Sequence, residues 1–347
     1  MRERAQSISV LRLFSTLMIF VFHFLLSYTE FGKKYFPMYF VVQVFLFLSG
    51  YLYARNKIKS VKLFYAKNFV KILLPSIITL VIVGIAVLVV YICGINLNFY
   101  KIGLTGERYT SYGHYWFVGA ILFCYLLTPV LWKIYEYRAQ TKGNCKKFQV
   151  LEFLIIVLIL ADCVLSLTGT QRLISSYIIG FAFRRLKESK KFANIKLALS
   201  LISALIFILA TVSCYFLSIC GKTPLVALVR ETNCLLLGVS LSVFVLTLFG
   251  ELKSKKENKL LKITDKYSYT FFLAHQFFLF STFSALYDSL PLYLNFIISL
   301  LCSILVSIIV DFVCNPITKK LFPAQTNKCN TMQNNDLEND LLQNKAA

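Results

Sequence analysis

A series of long apolar segments along nearly the whole chain limits the possible folds more than any other feature. The 347 residues are 58% hydrophobic and 15% charged, which is too apolar for a soluble domain of this size. A bilayer core about 30 Å thick is crossed by roughly 20 apolar helical residues. Ten segments approach that length, near residues 8–28, 36–54, 72–93, 114–134, 149–168, 173–186, 195–219, 231–250, 268–288 and 291–313. The sequence therefore predicts an all-α integral membrane protein with about ten transmembrane helices.

The basic residues indicate how such a bundle is oriented. A net charge of +21 would suit a nucleic-acid-binding protein, but the charges lie in alternate loops rather than in one patch. Loops that begin near residues 55, 133, 184 and 251 hold 23 of the 37 Lys and Arg residues, and the intervening loops hold seven. By the positive-inside rule the first set is cytoplasmic, so ten helices place both termini inside. We expect contact with membrane lipid and no nucleic-acid partner.

The loops between the apolar segments are too short to hold a soluble domain, so residues 1–320 form one membrane domain. Residues 321–347 are polar and rich in Asn, and we expect a disordered cytoplasmic tail there. No small-residue cleavage site follows the first apolar segment, which is therefore expected to remain in the protein. Cysteine and histidine spacings do not match a metal site.

The first apolar segment, LRLFSTLMIFVFHF, contains both an arginine and a histidine. Eleven residues separate Arg12 from His23, which is close to three helical turns, so both side chains share one face about 16 Å apart along the axis. Ionisable groups at membrane depth usually face a cavity or the bundle interior. The structural alternative is an arginine that reaches the interface and a histidine that bonds a neighbouring helix.

Two further stretches contain candidate site residues. Ser49 and Gly50 interrupt the apolar run VVQVFLFLSGYLY, where small residues permit either contact with a ligand or close helix packing. Lys67 and Lys71 lie one turn apart on a cytoplasmic amphipathic segment, where two ammonium groups would suit a phosphate-rich ligand or lipid headgroups.

The chain has three histidines, and all three lie in apolar segments or at their edges. His114, with Trp116, begins the fourth segment, where an aromatic interfacial anchor is the alternative to a functional role. His275 lies in the ninth segment, about a third of the way from its predicted cytoplasmic end. Arg230 and Glu231 start the eighth segment, where we expect a solvated ion pair.

In their order, these segments resemble the membrane acyltransferase-3 family, bacterial O-acyltransferases that modify cell-surface and secreted glycans. Arg12 and His23 are similar to the family's Arg and His in the first helix. Many members have Asp in place of Gln43, and an Arg pair in place of Lys67 and Lys71. The other similar motifs are FLFLSGYL, FYAKNFVKILLP, HYWFVGAILFCYLLTP, SYIIGFAFRRL, YSYTFFLAHQFF and NPITKK.

The resemblance implies a function and a set of site residues. It implies transfer of an acyl group, most often acetyl, from cytoplasmic acyl-CoA to a hydroxyl of a polysaccharide at the bacterial plasma membrane, without a metal. His23 would be the general base. A separate protein could complete the transfer. The catalytic residues would be His23 and Arg12, the donor-binding residues Arg12, Lys67 and Lys71, and the substrate-binding residues Ser49, Gly50, His114, Trp116 and His275.

Two alternatives stay open at this point. A multi-pass transporter or flippase would use Arg12 and His23 as part of a substrate path. An enzyme of the same family could instead act on peptidoglycan, a lipid-linked sugar or a small molecule. The sequence leaves the acceptor, the acyl group and the oligomeric state undetermined.

Overall fold

The computed structural model describes residues 6–28, 40–55, 57–95, 100–102, 108–110, 113–140, 146–165, 173–189, 191–217, 223–249, 259–280, 283–286 and 289–323. These residues form ten α-helices, one for each predicted segment. They are α1 (Gln6–Tyr28), α2 (Val41–Tyr53), α3 (Val61–Ile92), α4 (Trp116–Gln140), α5 (Lys146–Leu165), α6 (Leu173–Lys187), α7 (Phe192–Leu217), α8 (Pro224–Leu248), α9 (Lys259–Leu279) and α10 (Leu292–Leu321). The predicted tail lies outside the described residues from residue 324 onwards.

Six of the described helices are long and apolar enough to cross a membrane. These are α1, α3, α4 with the turn before it, α7, α8 and α10, while α2 and part of α5 provide shorter apolar stretches. The ten predicted crossings therefore exceed the six that length and composition support. The orientation with both termini inside stays a prediction.

One element departs from the predicted all-α fold. An antiparallel hairpin of two short strands, β1 (Tyr100–Ile102) and β2 (Arg108–Thr110), lies between α3 and α4. A 3₁₀ turn over Gly113–Tyr115 then leads into α4. The apolar pattern did not indicate the hairpin, because each strand has only three residues.

Helices α3 and α9 begin about ten residues earlier than their hydropathy predicts. The third segment was expected from residue 72, but α3 starts at Val61, where the Ser60 hydroxyl accepts a hydrogen bond from the Leu63 amide at 3.4 Å. The ninth was expected over 268–288, but α9 spans Lys259–Leu279. His275 therefore lies near the end of α9 rather than a third of the way along it. Hydropathy missed the first turns of both helices because their residues are polar.

The short helix α2 lies at the centre of the bundle. Nine of its 13 residues are buried, and it contacts α1, α4, α6 and α8. In contrast, α3, α7 and α10 expose broad apolar faces, with Ile85, Leu201 and Phe312 more than half exposed. Faces of this kind are suited to lipid, as expected of a membrane protein.

Helices α2 and α6 pack backbone against backbone. A Cβ atom added to Gly50 would lie 2.1 Å from the Tyr177 carbonyl oxygen, and one added to Gly180 would lie 2.1 Å from the Phe47 carbonyl oxygen. The Ser176 hydroxyl also donates to the Gln43 carbonyl oxygen at 2.7 Å. These contacts give Gly50 a packing role.

Candidate active site

The three histidines, which are far apart in sequence, meet in one cluster. His23 comes from α1, His275 from α9 and His114 from the 3₁₀ turn before α4. The ring centroids of His23 and His275 are 5.0 Å apart, and those of His114 and His275 are 5.4 Å apart. The chain contains no other histidine.

Hydrogen bonds indicate which ring nitrogens of His275 and His23 carry protons. His275 Nδ1 lies 2.6 Å from the Phe272 carbonyl oxygen, which can only accept, so this nitrogen carries a proton. In the neutral ring His275 Nε2 is then an acceptor, and His23 Nδ1 donates to it at 2.8 Å. His23 Nε2 is left with the lone pair that a general base needs.

Exposure distinguishes the three rings. His275 is fully buried and His114 is 2% exposed, whereas His23 is only half-buried. His23 is therefore the most exposed of the three histidines. His114 is not an interfacial anchor, because its Nε2 lies 2.8 Å from the Leu273 carbonyl oxygen inside the bundle.

Gln276 joins the two remaining members of the cluster. Its Oε1 accepts from the His114 backbone N–H at 3.1 Å and lies 2.8 Å from His114 Nδ1. Its Nε2 lies 3.2 Å from His23 Nε2. The sequence analysis missed Gln276, although it directly follows His275.

At the other end of α1, Arg12 forms an ion pair with Asp265 of α9. The Arg12 Nη1 and Asp265 Oδ1 atoms are 3.1 Å apart, and the side chains are 17% and 8% exposed. Asp265 and His275 are ten residues apart on α9, as Arg12 and His23 are eleven apart on α1. The two helices thus run parallel, with one polar contact near each end. This parallel spacing was a signal for Asp265 that the sequence analysis did not use.

The other predicted site residues lie on α2, α3 and α4 rather than on the elements that carry the three histidines. Trp116 is 45% exposed, and Lys67 and Lys71 are exposed on α3. Ser49 is half-buried on α2.

The expected solvated ion pair at the eighth helix is wrong in one respect. Arg230 and Glu231 do pair at 3.3 Å, but the Glu231 side chain is only 2% exposed while that of Arg230 is 45% exposed. The Glu231 carboxylate is buried in α8, which begins at Pro224, seven residues earlier than predicted.

The described residues include no group of three or more His, Cys, Asp and Glu side chains that could hold a metal ion. The ring nitrogens of the three histidines instead form hydrogen bonds with one another, with Gln276 and with backbone carbonyl oxygens. What the cluster can do chemically is accept and donate protons at His23.

Long apolar helices around a buried polar cluster define a multi-pass membrane protein with a site suited to acid–base chemistry. A family model described as an acyltransferase domain matches residues 6–312. The chain belongs to this family, the acyltransferase-3 family that the motifs predicted, and is a membrane acyltransferase. Comparison with curated proteins and with solved structures gives no match.

Proposed function

We propose that this acyltransferase moves an acetyl group from cytoplasmic acetyl-CoA to a hydroxyl of a cell-surface or secreted polysaccharide, at the bacterial plasma membrane. The observation that carries the proposal is the hydrogen bond from His23 Nδ1 to the buried His275, which leaves Nε2 as the His23 nitrogen that can accept a proton. A base oriented by a second group is the arrangement that activates a hydroxyl nucleophile.

His23 acts first as base and then as acid. Its Nε2 takes the proton from the acceptor hydroxyl while the oxygen attacks the thioester carbonyl carbon. It then returns the proton to the departing thiolate, which leaves an O-acetyl ester and coenzyme A. His275 is buried, so we assign it to holding the His23 ring in the productive tautomer rather than to contact with the glycan.

Arg12 lies on the donor side of this mechanism. Asp265 holds the guanidinium at 3.1 Å, and we propose that Arg12 contacts the coenzyme arm. Lys67 and Lys71 are exposed where α3 begins and are proposed to contact the coenzyme phosphates. Trp116, exposed near the His114 turn, is proposed to stack on the glycan.

The test compares the surface glycan of cells that carry the wild-type gene, a deletion, and the deletion complemented with His23→Ala or His23→Gln. We expect NMR acetyl signals of the glycan to disappear in the deletion and in both His23 variants. The reason is that a positioned base contributes about 10²- to 10⁴-fold to such a reaction. Leu17→Ala is the matched control, because Leu17 lies on the exposed face of the same helix.

Purified protein with labelled acetyl-CoA separates this proposal from transport. Transfer or hydrolysis of the acetyl group supports the enzyme, while binding or translocation of an intact solute without loss of acetyl from the donor contradicts it. A His23→Ala protein that reaches the membrane in normal amounts and still acetylates at the wild-type level would also contradict it.

A further inference from the structure

Gln276 points its amide N–H toward His23, and its Oε1 lies against the turn that contains His114, 3.1 Å from the His114 backbone nitrogen and 2.8 Å from His114 Nδ1. A backbone N–H always donates, so the Gln276 atom 3.1 Å from the His114 amide must be the carbonyl oxygen Oε1. The NH₂ group is then on the side that faces His23 Nε2, at 3.2 Å. The side chain is only 6% exposed, which restricts its rotation.

This amide N–H lies where a second catalytic group is needed. The acceptor hydroxyl must approach His23 Nε2 to within hydrogen-bonding distance. The thioester carbonyl carbon that this hydroxyl attacks, and the carbonyl oxygen attached to it, therefore come within reach of Gln276 Nε2. A site about 3 Å from both the nucleophile and a fixed N–H donor is where a tetrahedral oxyanion is stabilised.

We propose that Gln276 is a catalytic residue whose Nε2–H donates to the thioester carbonyl oxygen as negative charge develops on it, and that His114 is the positioning residue that orients this amide. The inference rests on the proposed acyl transfer. Before the substrate binds, the Gln276 Nε2–H donates a hydrogen bond to the lone pair of His23 Nε2. The incoming hydroxyl takes that place, and the Gln276 NH₂ group keeps its orientation and donates to the carbonyl oxygen of the bound thioester.

The step balances within the groups named. The acceptor oxygen forms a bond to the carbonyl carbon, its proton moves to His23 Nε2, and the carbonyl π electrons move to the oxygen that Gln276 contacts. Collapse of this intermediate restores the carbonyl and breaks the carbon–sulfur bond, and the thiolate takes the proton from His23. Neither Gln276 nor His114 gains or loses a proton.

The first test is steady-state kinetics of the full chain in detergent, with acetyl-CoA and glycan prepared from cells that lack the enzyme. Loss of one oxyanion donor costs about 10²- to 10³-fold in kcat, so we expect that loss for Gln276→Leu and Gln276→Glu with the KM for acetyl-CoA nearly unchanged. Thr270→Val is the control on α9, because it removes a buried hydroxyl that bonds the Tyr267 carbonyl oxygen away from the cluster.

The second test changes the substrate atom instead of the protein. In the dithioester analogue of acetyl-CoA a sulfur replaces the carbonyl oxygen and is a poor hydrogen-bond acceptor. We expect the wild-type enzyme to prefer the oxygen substrate strongly, and Gln276→Leu and His114→Ala to reduce that preference by about tenfold or more. The residual activity of a weakened variant is enough to measure this ratio of oxygen to sulfur substrate. If Gln276 and His114 had a purely structural role, the ratio would be the same as in the wild type.

The outcomes separate the two proposals. If the wild-type protein does not transfer or hydrolyse acetyl at all, the proposed function fails. If it does so and depends on His23, but Gln276→Leu keeps both its kcat and its oxygen-to-sulfur preference, the role of Gln276 is overturned. A variant that does not fold is replaced by Gln276→Asn, which keeps the amide but shortens its reach and should show the same reduced preference.

Discussion

The close packing of α2 on α6 predicts how much stability the protein loses when Gly50 or Gly180 is replaced by alanine. A Cβ atom on Gly50 or Gly180 would lie 2.1 Å from a backbone carbonyl oxygen of the other helix, whereas ordinary contact begins near 3.4 Å. The helices would have to separate by more than 1 Å, because a backbone carbonyl cannot rotate away as a side chain can. Overpacking typically costs about 1–3 kcal/mol, and we expect Gly50→Ala and Gly180→Ala to reach or exceed the upper value.

The assay is thermal unfolding of the purified protein in detergent, followed by size exclusion after heating. A loss of about 3 kcal/mol should lower Tm by about 6–12 °C on the scale known for chains of 150–250 residues. Gly84→Ala and Gly119→Ala are the matched controls, since an added Cβ meets nothing within 4 Å there. Equal Tm values for the Gly50 and Gly84 variants would refute the packing argument. Lost activity at unchanged Tm would instead support the predicted contact of Gly50 with substrate.

Three further predictions concern polar contacts of the bundle. Asp162→Ala should destabilise the protein by about 1–2 kcal/mol in the same unfolding assay, because the carboxylate accepts from both the Ser175 amide and hydroxyl where α6 begins. Arg12→Gln should cost about 3–5 kcal/mol by leaving the buried Asp265 carboxylate without this cation, and Asp265→Asn on top of it should cost little more, as a double-mutant cycle would show. His275→Phe should lower kcat for acetyl transfer by about 10²-fold with an unchanged KM for acetyl-CoA, and unchanged steady-state kinetics would contradict its role in orienting His23.

Hydropathy predicted the ten helices because each contains an apolar segment, although only six of the described helices are long and apolar enough to cross a bilayer. It failed at the polar starts of α3 and α9, since a hydropathy window cannot tell a polar residue in a loop from one paired inside a bundle. The start of α9 contains Asp265, whose carboxylate is 8% exposed and pairs with Arg12 of α1. That pairing spans 253 residues, so the local sequence of α9 does not show it, and only the similar spacings of Arg12 to His23 and of Asp265 to His275 indicate it.

In the candidate site, as in the fold, the sequence predicted local features but not the contacts between distant elements. The eleven-residue spacing correctly placed Arg12 and His23 on an inward face of α1, because helical periodicity is a local property. It did not indicate that His114 and His275 support His23 from within the core. It also did not indicate Gln276, since an amide next to a histidine has no distinctive pattern until the turn containing His114 packs against it.

The two contacts between α1 and α9 explain why an ion pair far from the reacting atoms matters for the chemistry. The helices run parallel, and ten or eleven residues separate the contact near each end, or about 15–16 Å. Sliding one helix past the other by a single residue moves it about 1.5 Å, which is enough to break the 2.8 Å bond between His23 and His275. The ion pair of Arg12 and Asp265 opposes that movement. A variant that weakens it should therefore lose activity as well as stability, even if Arg12 never touches the donor.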